Sequence, residues 1–137
     1  MVSQKTFHYN KTAVLMKLRI KGNSIRLRLS KPEVEKLAVA KYLEERTSFG
    51  RKTFSYALQI KDAGGELSAD FDGSKITVFI PEIFIKDWAV NDVIGFNATK
   101  RVSDAESLDI LVEKDFKCLD EATEDEQDNY ENPNKTC

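Results

Sequence analysis

The sequence predicts an α+β fold of about eight antiparallel strands, strongly curled or barrel-like, with two short helices. Three observations predict it. Apolar and polar residues alternate in short runs along most of the chain, the period of a strand with one buried face. Glycine-containing turns separate these runs at hairpin spacing. Two helical signals interrupt them, one a capping box. Eight strands are many for a flat sheet in a chain of 137 residues, so strong curling or closure is expected.

The elements follow in order. Leu18 and Ile20 alternate with Lys17, Arg19 and Lys21, Gly22-Asn23 turns the chain, and Ile25, Leu27 and Leu29 alternate with Arg26 and Arg28. That is a hairpin signal. Ser30-Lys31-Pro32-Glu33 reads as the capping box, and Val34, Leu37 and Ala38 give the apolar face of a short helix. Residues 42–49 and 54–60 return to strand character around the Gly50-Arg51-Lys52 turn. Gly64-Gly65 and Asp72-Gly73 are expected to close two further hairpins around residues 67–71 and 76–80. Pro81 opens a second short helix carrying Ile83, Phe84 and Trp88, and residues 93–99 and 108–113 form the last strands. The expected core is Leu18, Ile20, Ile25, Leu27, Leu29, Leu37, Phe71, Val78, Trp88, Phe96 and Ile110.

Residues 25–38 align without a gap on residues 76–89, with apolar positions coinciding at 25/76, 27/78, 29/80, 34/85, 37/88 and 38/89. The pattern is that of a ββαββ unit used twice.

Composition narrows the function. No apolar run approaches the roughly 20 residues of a membrane-spanning helix. One histidine and two cysteines exclude a disulfide scaffold and a zinc site of four Cys/His ligands. Residues 1–15, an N-terminal extension, carry no apolar export signal, so a cytoplasmic location with Cys118 and Cys137 as reduced thiols is expected. Residues 16–119 read as one α+β domain. Residues 120–137 read as an acidic tail with too little apolar surface to offset ordering entropy, expected to be disordered and dispensable for folding. The formal charge of −2 conceals a split: residues 1–65 hold 14 Lys/Arg against 5 Asp/Glu, residues 66–137 hold 7 against 18.

The run from Met16 to Ser30, Tyr42-Leu-Glu-Glu-Arg-Thr-Ser-Phe49 and Glu113-Lys-Asp-Phe-Lys-Cys-Leu-Asp120 resemble segments of a family of small uncharacterised bacterial proteins, a domain of unknown function. The similarity covers about residues 16–134 and implies no activity and no site. Arg26-Leu-Arg28, Lys61 and Glu113-Lys114 are similar in type to residues of the triphosphate-tunnel superfamily, which includes adenylate cyclases and thiamine triphosphatases. That resemblance implies an eight-stranded barrel with cations and carboxylates lining its interior, and phosphohydrolase activity. The superfamily's Glu-x-Glu-x-Lys is replaced here by Lys17-Leu-Arg-Ile-Lys21.

The candidate site is cationic. If Leu and Ile of the first hairpin point inward, Lys17, Arg19, Lys21, Arg26 and Arg28 share its opposite face, and their repulsion calls for a negative partner. That partner is a phosphate-containing ligand, a polyanion, or carboxylates of the chain itself, among them Glu66, Asp70, Asp72, Asp109, Glu113 and the tail. Duplex DNA readout is not expected, for no helix-turn-helix is visible and the isoelectric point is near 5.5. Enzyme templates lack parts: His8 is the one histidine and lies in the extension, Cys118 has no base nearby, and Glu44-Glu45 point to opposite faces. Glu66, Asp70 and Asp72 share a face by period 2, as metal ligands or as a solvated acidic strand. The expectation is a non-enzymatic binding or accessory domain without metal or cofactor, with a tunnel-type phosphohydrolase or a structural subunit of an assembly as alternatives.

Overall fold

The computed structural model describes residues 15–62, 64–116 and 130. His8, Cys118, Cys137, the N-terminal extension before Leu15 and the acidic tail apart from Tyr130 lie outside the described residues. The elements are β1 (Lys17–Lys21), β2 (Ser24–Leu29), α1 (Lys31–Ala40), β3 (Tyr42–Ser48), β4 (Thr53–Lys61), β5 (Ser68–Asp72), β6 (Lys75–Pro81), α2 (Glu82–Ile85), β7 (Gly95–Arg101) and β8 (Ser107–Lys114). Their number and order match the periodicity of the sequence.

Their arrangement does not form a barrel. The strands make two open four-stranded sheets, ordered β1-β2-β8-β7 and β3-β4-β6-β5. Neither is closed or strongly curled, which corrects the expected barrel-like sheet. Nor are all pairings antiparallel: β2 runs parallel to β8 and β4 parallel to β6. Gly64-Gly65 therefore closes no hairpin, since β6 inserts between β4 and β5. The physical reason is an exchange of hairpins. The β1–β2 hairpin takes its neighbour from the end of the chain, and the β5–β6 hairpin takes its neighbour from the first half. Each sheet then has only four strands, a width that needs no closure.

Advancing each strand number by four turns the order of the first sheet into that of the second, read from β5 to β3. The local devices repeat as well. Gly22 and Gly73, at φ 55° and 61°, open the two-residue loops of the β1–β2 and β5–β6 hairpins in the left-handed backbone such loops require.

Both sheets and both helices contribute to one core. Ile25, Leu27, Leu29, Ile110 and Val112 of the first sheet join Leu43, Leu58, Ile76, Val78 and Ile80 of the second, with Val34, Leu37, Ile85 and Trp88. Leu18 and Phe96 pack half-buried against it. Ile20 and Phe71 were expected inside but are 57% and 68% exposed. Each has the parity of the buried face, yet each stands near the turn on an outer strand, with a neighbouring strand on one side only among the described residues. The Ser30 amide and hydroxyl donate to Glu33 Oε1 at 3.0 and 3.2 Å, fixing the start of α1. Lys41, at φ 67°, ends the helix with its N–H on the Leu37 carbonyl at 2.9 Å. The indole N–H of Trp88 donates to the Val93 carbonyl at 2.8 Å, so the buried ring keeps its hydrogen bond.

Candidate functional site

The first hairpin brings together all five cations that the alternation assigns to one face. Lys17 pairs with Arg28, Arg19 with Arg26 and Lys21 with Ser24 across β1 and β2. On the far side of β2, Arg26 lies beside Leu111 and Arg28 beside Glu113 of β8. The same outward face continues across β7 with Gly95, Asn97 and Thr99. Leu27 and Leu29 are buried on the opposite face, so the cations point away from the core.

Among the described residues, carboxylates balance only one end of this face. Lys17 Nζ lies 2.7 Å from Asp115 Oδ2, a contact of charge rather than of hydrogen-bond alignment, since that buried oxygen accepts no hydrogen bond among the described residues. Glu113 Oε1 is shared at 3.5 Å from Arg26 and 3.7 Å from Arg28. Gly95 makes room for it. A Cβ at Gly95 would meet the Val112 carbonyl oxygen and lie 2.9 Å from Glu113 Cγ. Among the described residues neither Arg19 nor Lys21 makes an ion pair. With Arg26, Ser24 and Leu111 they line an open depression of about 250 Å³. A second, of about 330 Å³, adjoins it through Ser24 and Leu111 and reaches Asn97, Thr99 and Asp109. Thr99 donates to Asp109 at 2.8 Å.

A different cation, named in the sequence only for its likeness to tunnel residues, is buried in the structure. Lys114 is 4% exposed. Its ammonium donates to the Asn91 carbonyl at 2.7 Å and lies 5.7 Å from the Trp88 ring centre and 4.8 Å from that of Tyr130. Burial lowers its pKa, opposed in part by Asp92. Parity on β8 carried the signal, because Ile110, Val112 and Lys114 share one face. Tyr130 itself sits on the body. Its N–H donates to the Asp115 carbonyl at 2.7 Å, its ring packs on Phe116, and Lys31 faces it at 5.8 Å. Burial pushes its hydroxyl up to about 12. This contact ties one point of the 120–137 segment to the domain, which its apolar-poor composition does not reveal.

The remaining candidates do not converge. Asp70 and Asp72 lie on the outer face of β5, while Glu66 precedes that strand and lies 3.4 Å from Lys100. Among the described residues no group of three or more His, Cys, Asp or Glu side chains is placed to hold a metal ion. On the second sheet Glu44 accepts the Tyr42 hydroxyl at 2.7 Å and lies 3.4 Å from Arg46 and 3.6 Å from Lys75. The Tyr42 bond holds its carboxyl below the usual range. Glu45 faces the other way, toward Glu33 and Tyr56, as alternation requires. Among the described residues no helix is long and apolar enough to cross a membrane.

Comparison with curated proteins and with solved structures finds no match. Over residues 16–134, a stretch that contains all eight strands, both helices, the cationic hairpin and the Lys114–Tyr130 contact, the chain matches DUF7009, a family of unknown function, and it belongs to that family.

Proposed function

We propose that this chain is a non-enzymatic binding domain that takes a multiply charged anion, a phosphate-containing ligand or a polyanion, on the outer face of the β1–β2 hairpin. The observation that carries the reading is the uneven neutralisation of its five cations. Asp115 and Glu113 sit against Lys17, Arg28 and Arg26, whereas Arg19 and Lys21 have no carboxylate among the described residues and line an open depression with Arg26. Cations on neighbouring strands repel, and an anion laid across Arg19, Arg26 and Lys21 relieves that repulsion. Arg19 and Lys21 are exposed and Arg26 is half-buried, so each contact is worth about 1 kcal/mol or less and salt screens it. Such a face suits a ligand carrying several charges. We also read the two halves as a duplicated ββαββ unit, supported by the ungapped 25–38/76–89 alignment and by the matching strand orders. In that unit only the first hairpin carries the cations.

The test is a thermal-shift series with heparin and inorganic triphosphate at low and high ionic strength, since a ligand of the native state raises its melting temperature. The wild-type chain is expected to gain stability at low salt and lose the gain at high salt. R19A/K21A is expected to lose it at both. An equal gain in wild type and variant overturns the reading.

A further inference from the structure

We propose that the β1 edge of one molecule pairs with the β5 edge of a second copy, so that the acidic strand of one chain is an anionic partner of the cationic hairpin of another; this rests on the anion-binding reading of that hairpin. Among the described residues β1 and β5 are outer strands of different sheets, each hydrogen-bonded to a strand on one side only. Such edges present unpaired backbone donors and acceptors, and charge along the edge is the usual deterrent to pairing. Here the two edges carry opposite signs. β1 reads Arg19-Ile20-Lys21 and β5 reads Asp70-Phe71-Asp72, each directly before a Gly-led hairpin loop. None of Arg19, Lys21, Asp70 and Asp72 makes an ion pair among the described residues.

Charge makes this pairing selective. Two β1 edges place cations against cations, and two β5 edges place acids against acids. A β1 edge on a β5 edge places opposite charges together. With Ile20 opposite Phe71, antiparallel strands set Arg19 against Asp72 and Lys21 against Asp70. Parallel strands set Arg19 beside Asp70 and Lys21 beside Asp72. Either direction covers Ile20 and Phe71, the two exposed apolar side chains of these strands, with each other. Each strand is five residues long, so one contact is small and its ion pairs are exposed. The association is therefore weak and salt-sensitive.

Sedimentation velocity of the full chain at low ionic strength is expected to show concentration-dependent association that salt removes. R19E/K21E and D70K/D72K are each expected to be monomeric, and an equimolar mixture of the two is expected to associate again. The acidic β1 edge of the first meets the basic β5 edge of the second with reversed sign, and the unaltered β5 edge of the first meets the unaltered β1 edge of the second. Circular dichroism melting confirms that each variant is folded. Should a reversal variant fail to fold, R19Q/K21Q and D70N/D72N are expected to weaken association instead. A wild-type chain that stays monomeric at low salt, a variant that associates like wild type, or a folded mixture that stays monomeric overturns the proposal. Heparin binding separates the two readings. D70K/D72K keeps it and R19E/K21E loses it if the hairpin binds anions, whatever the oligomeric state. Association with charge-swap rescue but no heparin binding leaves the edge contact and removes the ligand.

Discussion

Leu27, Gly95 and Glu33 decide local stability in different ways. Leu27 is completely buried between strands of the first sheet, so Leu27→Ala is expected to cost about 2–5 kcal/mol in urea unfolding. Ile20→Ser and Phe71→Ser, at exposed edge positions, are expected to stay within about 0.5 kcal/mol. Gly95 faces the Glu113 backbone too closely for a methyl group. Gly95→Ala is expected to destabilise by about 1–3 kcal/mol, the range for overpacking, and to displace Glu113 from Arg26 and Arg28. Glu33 carries a pH dependence. Burial, with Glu45 facing it, raises its pKa from 4.5 to about 7, against the hydrogen bonds from Ser30 that lower it. Between those values the folded chain holds a proton that the unfolded chain has released. The contribution of Glu33 to stability therefore falls as pH rises from about 4.5 to about 7 and is lowest above it. Glu45, raised by burial and opposed by Lys36, acts in the same direction. Glu33→Gln removes the Glu33 part, so urea midpoints of wild type minus variant should decline with pH across that window. A difference independent of pH refutes this account.

At the scale of elements, the strands and α1 follow directly from local chemistry. Alternation set β2 and β8 with one buried face each, and Ser30 and Glu33 started α1 where the capping pattern stands. Pairing was less legible. Nothing in the Gly64-Gly65 turn distinguishes a hairpin from a crossover, and the insertion of β6 beside β4 depends on which hairpin fills that position in space. Tyr130 makes the same point for the C-terminal segment. Its composition suggests that removal costs under about 1 kcal/mol, yet its ring lies between Phe116, Lys31 and Lys114. Tyr130→Ala is accordingly expected to cost about 1–2 kcal/mol, measured by thermal or urea unfolding of the full chain. No change in the midpoint would show that this contact is energetically idle.

For the whole molecule, charge distribution is the dominant feature. The first half of the chain is basic and the second acidic, and the exchange of hairpins interleaves the two within each sheet. The segment from Asp120 to Glu131 adds seven acids to this acidic half. Tethered carboxylates compete with an external anion at effective concentrations of up to about millimolar. Replacing those seven acids by Asn and Gln, with Tyr130 kept, is expected to tighten heparin binding at low salt and to leave it unchanged at high salt. Adding R26A/R28A should abolish the gain. Equal heparin affinity with and without the acids confines their role to solubility.

The amino-acid order by itself determined the eight strands, the two helices, and the separation of Leu/Ile and cations onto opposite faces of the first hairpin, because each depends on periods of two to four residues. Burial of Leu27 and Leu29 decided which face is inward. Only the tertiary structure decided that the strands form two open sheets, that Glu113 and Asp115 neutralise three of the five cations while Arg19 and Lys21 have no such partner among the described residues, and that Ile20 and Phe71 stand at exposed edges. These outcomes rest on contacts between residues far apart in the chain. Which hairpin completes which sheet is settled by the shared core, and no local pattern encodes that choice.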